Sequence, residues 1–181
     1  MTSECYVYIV LPGETTFVTA GRFAVRETRD GTHVGEFIYG RSYRERPNAV
    51  ELDPVELRLQ TGTLETAKMG GFFGAIRDAL PDSWGRKVIE RHARARLSEF
   101  DYLLRGPDDR AGALGFGRNT EPPFPENRFN RTLDLERLQS AADALLNDEP
   151  VLAGSAAEQA ADLLMLGGTS MGGARPKAVV E

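Results

Sequence analysis

The residues with the clearest chemical potential form a glycine-rich segment at 167–177, Gly-Gly-Thr-Ser-Met-Gly-Gly-Ala-Arg-Pro-Lys. Glycine permits positive φ and close approach of the backbone to a ligand, so the amide groups of such a segment can cradle a phosphate. The glycine pattern by itself favours a plain turn after a helix C-cap. The neighbouring hydroxyls of Thr169 and Ser170 and the cations of Arg175 and Lys177 favour a loop that holds a phosphate or a phosphorylated hydroxyl.

Two standard nucleotide-binding motifs do not fit this segment. A Walker A motif requires a lysine followed by serine or threonine after its glycines, whereas Ala174-Arg175 follows the glycines here. The dinucleotide fingerprint follows a strand, whereas a helix is predicted to end at Gly167. A phosphate-binding loop at this place must therefore belong to another class.

Carboxylates, histidines and the single cysteine give no comparable cluster. Asp108 and Asp109 could act as paired acid–base groups, but consecutive aspartates after Gly-Pro are more typical of a turn. His33 and His92 stand alone, and no Cys/His/Asp cluster has metal-ligand spacing, so no metal site is predicted. Cys5 lies in an apolar run and has no partner for an internal disulfide, which fits a reducing cytoplasm.

Basic residues give a second candidate for binding. They form one face of a predicted helix that follows Trp84: Arg86, Lys87, Arg91, Arg94 and Arg96. Such a face could meet DNA phosphates or an acidic partner, although a solvated helix face is the more common explanation. Arg41, Arg44 and Arg46 are interpreted as part of a solvated loop. The formal net charge of −5 argues against a chain whose main task is binding nucleic acid. No stretch reaches the roughly 18 apolar residues of a membrane span.

The elements that would position these groups begin with a β-rich stretch at residues 1–65. Its segments are rich in β-branched and aromatic residues and are separated by turn signals such as Pro12-Gly13 and Asp30-Gly31. The predicted strands are 5–11, 16–25, 34–39, 49–52 and 57–59. Short strands at this spacing predict a small antiparallel sheet or barrel.

From residue 66 onward the apolar spacing is helical. A helix is predicted from Phe72 to Leu80, Pro81 ends it, and Asp82 or Ser83 can cap the next one. The further predicted elements are a helix with a capping box at Ser98-x-x-Asp101, a short strand at 113–116, and helices within 135–145 and 155–166. Three prolines and two asparagines give residues 121–131 the composition of a linker.

Three segments, in this order, resemble HipA-type serine/threonine kinases, the toxins of HipBA toxin–antitoxin modules. They are residues 70–86 (Gly-Gly-Phe-Phe through Leu-Pro-Asp-Ser-Trp-Gly-Arg), 106–114 (Gly-Pro-Asp-Asp-Arg-Ala-Gly-Ala-Leu) and 170–178 (Ser-Met-Gly-Gly-Ala-Arg-Pro-Lys-Ala). The resemblance covers roughly residues 6–181. It implies an α+β fold, with a small antiparallel β-rich subdomain followed by helices and the glycine-loop start of a kinase-like core.

The resemblance also implies a division of the chain. An N-terminal subdomain at 1–120, β-rich at 1–65 and helical at 66–120, would be followed by the linker at 121–131. Residues 132–181 would then be the truncated start of the kinase core and would carry the glycine loop at 167–177.

In such kinases the glycine loop covers the phosphates of ATP, and autophosphorylation of a serine in it switches the enzyme off. By position, Ser170 matches that serine. The residues that match the ATP-phosphate loop are Met171, Gly172, Gly173, Ala174, Arg175, Pro176 and Lys177. The resemblance implies ATP and Mg²⁺ as ligands of the intact protein. Its catalytic and metal-binding groups would lie beyond Glu181, so no catalytic residue, no tight ATP binding and no activity are expected of these 181 residues alone.

The implied function is ATP-dependent phosphorylation of a protein hydroxyl by a cytoplasmic toxin. Its partner would be a HipB-like DNA-binding antitoxin, so nucleic acid would be met only through the antitoxin, and no membrane is involved. Family substrates include aminoacyl-tRNA synthetases, but no residue of this chain selects one. The alternative is a stand-alone, non-catalytic interaction module that binds an antitoxin or a separately encoded kinase half. A third and weaker hypothesis is an independent nucleotide-binding protein. It is weaker because the loop lacks the following strand and the lysine on that strand.

Overall fold

A computed structural model of the chain describes residues 2–93, 95–106, 110, 112–123, 139–140 and 142–143. These residues belong to two compact units. The first unit contains the described residues of 2–79 and 112–123, and the second contains those of 80–106, Arg110 and the short stretches after 138. The first unit is built on a β-sheet, whereas the second is helical.

The first unit contains a five-stranded antiparallel sheet. Its strands in chain order are β1 (Thr2–Val10), β2 (Phe17–Glu27), β3 (His33–Tyr39), β4 (Thr63–Thr66) and β5 (Leu114–Gly117). The spatial order is β4-β3-β2-β1-β5, so four strands form a meander and β5 pairs with the free side of β1. Together with the helices described below, this sheet confirms the predicted α+β class and the antiparallel arrangement.

One face of the sheet carries the apolar core of the first unit. Cys5, Phe23 and Phe37 lie directly opposite one another across β1, β2 and β3, and all three are buried. Because side chains alternate between faces along a strand, the apolar alternation in the sequence collects on this one face. The Phe23 ring meets Phe72 and Phe73 edge to face, at centroid distances of 5.5 and 6.2 Å. The segment after β4 therefore covers the core face.

The residues between β3 and β4 differ from the prediction. A short helix, α1 (Arg41–Arg44), follows β3, and residues 49–62 form a loop with a bridge between Asp53 and Leu57. The strands predicted at 49–52 and 57–59 are therefore wrong. The apolar residues there serve packing instead of a strand ladder, as the complete burial of Leu57 indicates.

Two stacked tyrosines hold this loop. The rings of Tyr39 and Tyr43 lie 5.8 Å apart and nearly parallel. The Tyr39 hydroxyl donates to the carbonyl oxygen of Leu57 at 2.5 Å and accepts from the N–H of Leu52 at 2.8 Å. The Tyr43 hydroxyl donates to the carbonyl oxygen of Val50 at 2.7 Å. Burial raises the pKa of Tyr39 to about 12.

Of the three helices predicted between residues 72 and 106, the first is shorter than predicted, and the other two begin at their predicted caps. A 3₁₀ turn at Lys68–Gly70 precedes α2 (Gly74–Asp78), which occupies only the middle of the helix predicted from Phe72 to Leu80. The second unit contains α3 (Ser83–Ala93) and α4 (Glu99–Arg105). The capping box at the start of α4 is confirmed: Ser98 accepts from the N–H of Asp101, and the Asp101 carboxylate accepts from the N–H of Ser98.

After residue 123 the structure describes four positions. Residues 139, 140, 142 and 143 are helical, as predicted for 135–145, and Ala142 is buried. None of the helices within the described ranges has the length and apolarity needed to cross a membrane.

Candidate functional site

The predicted phosphate-binding loop lies outside the described residues. This holds for the autophosphorylation candidate Ser170, for the loop residues 171–177 and for the paired carboxylates Asp108 and Asp109. Their roles stay predictions. The described parts of the other two motif segments, 70–86 and 106–114, show what their polar residues do.

The segment Leu-Pro-Asp-Ser-Trp-Gly-Arg joins the two units in sequence and starts α3. Asp82 caps this helix, because its Oδ1 accepts from the N–H of Gly85 at 2.8 Å. The prediction that Asp82 or Ser83 caps the helix is thereby confirmed for Asp82. Trp84 is 1% exposed and anchors the first turn of the helix. The Nε of Arg86 donates to the carbonyl oxygen of Pro81 at 3.1 Å and holds the turn from the other side.

Arg86 also forms a bidentate ion pair. Its Nη1 and Nη2 lie 2.5 and 2.7 Å from the two carboxylate oxygens of Glu99 at the start of α4. The guanidinium lies 4.7 Å from the centre of the Tyr102 ring. The Tyr102 hydroxyl donates to Glu90 at 2.5 Å, and burial together with this bond raises the pKa of Tyr102 to about 12. Arg86 thus ties α3 to α4 and is not part of the solvated basic face that the sequence suggests.

Arg110, the arginine of the second motif segment, also has a structural role. Nη2 of Arg110 donates to the carbonyl oxygens of Leu103 and Gly106, at 2.6 and 2.8 Å. These carbonyls end α4, where a cation also interacts favourably with the helix dipole. A methyl group on Gly106 would lie 3.0 Å from the same Nη2, so the missing side chain leaves room for the arginine. These contacts are consistent with the structural interpretation of the 106–114 turn.

A concave site lies on the sheet face opposite the core. It is a groove of about 700 Å³ on the outward side of β1, β2 and β3, and it is called here the sheet groove. Its lining residues are Tyr6, Phe17, Val18, Thr19, Gly21, Arg22, Ile38, Tyr39, Gly40, Ser42, Tyr43, Arg46, Thr120 and Pro122. The floor is a cross-strand row in which Arg22 lies directly opposite Tyr6 on one side and Ile38 on the other.

The same sheet face has a different character away from the groove. Arg26 is ion-paired with Glu36 across the β2–β3 ladder, and its Nη2 lies 3.8 Å from Glu65 of β4. Arg22 pairs diagonally with Glu4 of β1 at 3.2 Å. Opposite charges on neighbouring strands stabilise a sheet modestly. The charge ladder therefore extends into the groove through Arg22, whereas the other groove residues are mainly uncharged.

The chemistry available in the sheet groove is that of binding. Its lining contains no aspartate, glutamate, histidine or cysteine. Elsewhere in the described part of the chain, no three His, Cys, Asp or Glu residues gather as a metal site. Metal binding and acid–base catalysis by carboxylate or imidazole groups use such residues. The described residues thus offer a binding surface and two arginine-centred structural clusters.

Sequence reasoning missed the groove, although one signal for it exists. Ile38 is exposed and lies two positions after Glu36 on the outward face of β3, and Tyr6 shares a face with Glu4. Apolar residues at polar-face positions break the expected alternation of a half-buried strand. Arg46 is exposed in a turn, as interpreted from the sequence, and it also lines the groove.

Comparison with protein-family models gives no match for this chain. Comparison with curated proteins gives no match either. The resemblance to HipA-type kinases thus depends on the three motif segments alone.

Proposed function

We propose that this chain is the N-terminal part of a HipA-like serine/threonine protein kinase that phosphorylates a protein hydroxyl with ATP. The supporting observation is the ordered set of three motif segments, at 70–86, 106–114 and 170–178. The polar residues described in the first two segments fix the ends of helices, through Asp82, Arg86 and Arg110. These structural contacts account for the aspartate and the two arginines in the first two segments. In this proposal the binding of phosphate therefore belongs to the third segment.

In this proposal the glycine loop 171–177 covers the phosphates of ATP·Mg²⁺ in a kinase-like core, and Ser170 is the site of autophosphorylation. The protein acts in the cytoplasm as the toxin of a toxin–antitoxin pair. A HipB-like DNA-binding antitoxin restrains it and makes the contacts to nucleic acid. Phosphoryl transfer depends on positioning and on charge stabilisation by groups outside the described residues.

Calorimetry with ATP·Mg²⁺ tests the proposal. The 181-residue chain and the product of the complete reading frame are titrated side by side. We expect saturable binding by the complete product and none by the 181-residue chain, because the loop alone supplies neither the lysine nor the metal ligands of a kinase site. Tight binding by the 181-residue chain would contradict the proposal and would identify an independent nucleotide-binding domain.

Replacement of Ser170 by alanine tests the assignment of the loop. In the complete product incubated with ATP·Mg²⁺, we expect Ser170→Ala to abolish the loop phosphopeptide that mass spectrometry detects. Thr169→Ala is the matched control, since it removes the adjacent hydroxyl and should leave the phosphopeptide in place. A phosphate that persists elsewhere in 167–177 in the Ser170→Ala variant would show that the serine is misassigned.

The alternative is a non-catalytic interaction module. Such a module would bind an antitoxin or a separately encoded kinase half through its described surfaces and would need no nucleotide. A complete product that forms a stable complex with the neighbouring gene product in analytical ultracentrifugation, yet binds no ATP·Mg²⁺, would favour this module over the kinase.

A further inference from the structure

The floor of the sheet groove places an arginine between an aromatic and an aliphatic side chain. Tyr6 and Ile38 flank Arg22 across three neighbouring strands, which spans two inter-strand steps or about 10 Å. Ile38 is 39% exposed although β3 is paired with a strand on each side. An exposed apolar side chain at the bottom of a concavity is typical of a ligand site.

Both walls of the groove are held in place by hydrogen bonds. On one side, stacking on Tyr39 and the bond to Val50 fix the Tyr43 ring. On the other side, the Thr19 hydroxyl donates to the carbonyl oxygen of Thr120 at 2.5 Å. The adjacent carbonyl, of Asn119, accepts from the Tyr8 hydroxyl at 2.5 Å. A site with fixed walls loses little conformational entropy when a ligand binds.

Both charged residues of the groove lining are arginines, and one of them is ion-paired with Glu4. The two arginines are Arg22 and Arg46, in a chain whose net charge is −5. Arg22 uses Nη1 for Glu4, which leaves most of the five N–H donors of its guanidinium available. Among the described residues, Arg46 forms no ion pair. Guanidinium groups bind carboxylates through paired hydrogen bonds.

We propose that the sheet groove binds a small aromatic carboxylic acid. The ring lies on Ile38, and the carboxylate is bound by Arg22 on the neighbouring strand and by Arg46. The volume of about 700 Å³ is in the range of small-ligand sites, and a floor about 10 Å wide between two fixed walls suits one ring with a short acidic arm. This inference does not depend on the proposed kinase function.

Phenylacetate is the probe for this site, titrated to about 10 mM into the ¹⁵N-labelled 181-residue chain. We expect saturable amide shifts at groove residues with a Kd below about 1 mM, and roughly tenfold weaker binding of the neutral analogue phenylacetamide. Arg46→Gln should weaken phenylacetate binding by roughly tenfold as well. Arg41→Gln is the matched control on α1, because Arg41 pairs with Glu45 and does not line the groove; it should bind as the unchanged protein does.

Ile38→Thr provides a second, independent variant, since threonine keeps the strand preference and removes apolar surface from the floor. We expect it to weaken both the acid and the amide. Equal binding of acid and amide, an unaffected Arg46→Gln variant, or the absence of saturable groove shifts would each overturn the proposal. Binding of an acidic peptide without binding of phenylacetate would also overturn it, in favour of a protein-docking groove.

Discussion

Replacement of Trp84 by alanine is expected to lower the free energy of unfolding by about 3–5 kcal/mol. Trp84 is 1% exposed and is among the largest fully buried side chains of the described residues. Its truncation removes an indole from the first turn of α3 and leaves a cavity that the surrounding residues fill only in part. The helix cap at Asp82 and the bond from Arg86 to Pro81 surround this position, so the cost includes a looser start of α3.

Urea denaturation monitored by far-UV circular dichroism measures this loss. Trp84→Phe keeps an aromatic ring at the site and should lose clearly less than Trp84→Ala. Val55→Ala is the exposed control, because Val55 is 78% exposed and its truncation should change stability by less than about 0.5 kcal/mol. An unchanged urea midpoint for Trp84→Ala would show that the indole contributes nothing to the stability of the helical unit.

The parts of the fold that sequence reasoning predicts correctly are those governed by neighbouring residues. β1 to β3 follow from apolar alternation, and their turns follow from glycine at positive φ, as at Gly13 and Gly31. The start of α4 follows from Ser98 and Asp101, because a capping box is a contact over three residues. Such signals require no knowledge of which distant segments meet.

The errors arise where distant contacts decide. Residues 49–62 form a loop because Tyr39 and Tyr43 bind its backbone, and this outcome depends on α1 placing the two rings in a stack. β4 is only four residues long, and it is a strand because it pairs with β3. A short apolar pattern carries no information about these partners.

The candidate sites also differ in whether their residues are neighbours in the sequence. The motif segments are contiguous, so the sequence alone picks out Asp82, Arg86 and Arg110, and the structure then assigns their contacts. The sheet groove draws its lining from three strands, from α1 and from the segment after β5. Arg22 and Arg46 are 24 positions apart and reach one concavity only when the sheet has formed. Their common site therefore cannot be read from spacing.

Replacement of Gly35 by alanine is the second change with a large expected effect. A methyl group at Gly35 would lie 1.8 Å from the carbonyl oxygen of Gly71 and 2.8 Å from its carbonyl carbon. Both atoms belong to backbone, so no flexible side chain can give way. Gly71 has a φ of +85°, and a methyl group on it would lie 2.9 Å from the amide nitrogen of Gly35, so this close contact has no room on either side.

We therefore expect Gly35→Ala to lower the free energy of unfolding by about 3 kcal/mol or more. The clash pushes the segment after β4 away from the sheet, and this segment carries Phe72 and Phe73 onto Phe23. Gly40→Ala is the matched control at the other end of β3, because its nearest neighbour would lie 3.7 Å away; stability should change by less than about 1 kcal/mol. Equal urea midpoints for the two variants would mean that the segment after β4 can leave the sheet without loss, and that the core of the first unit does not need it.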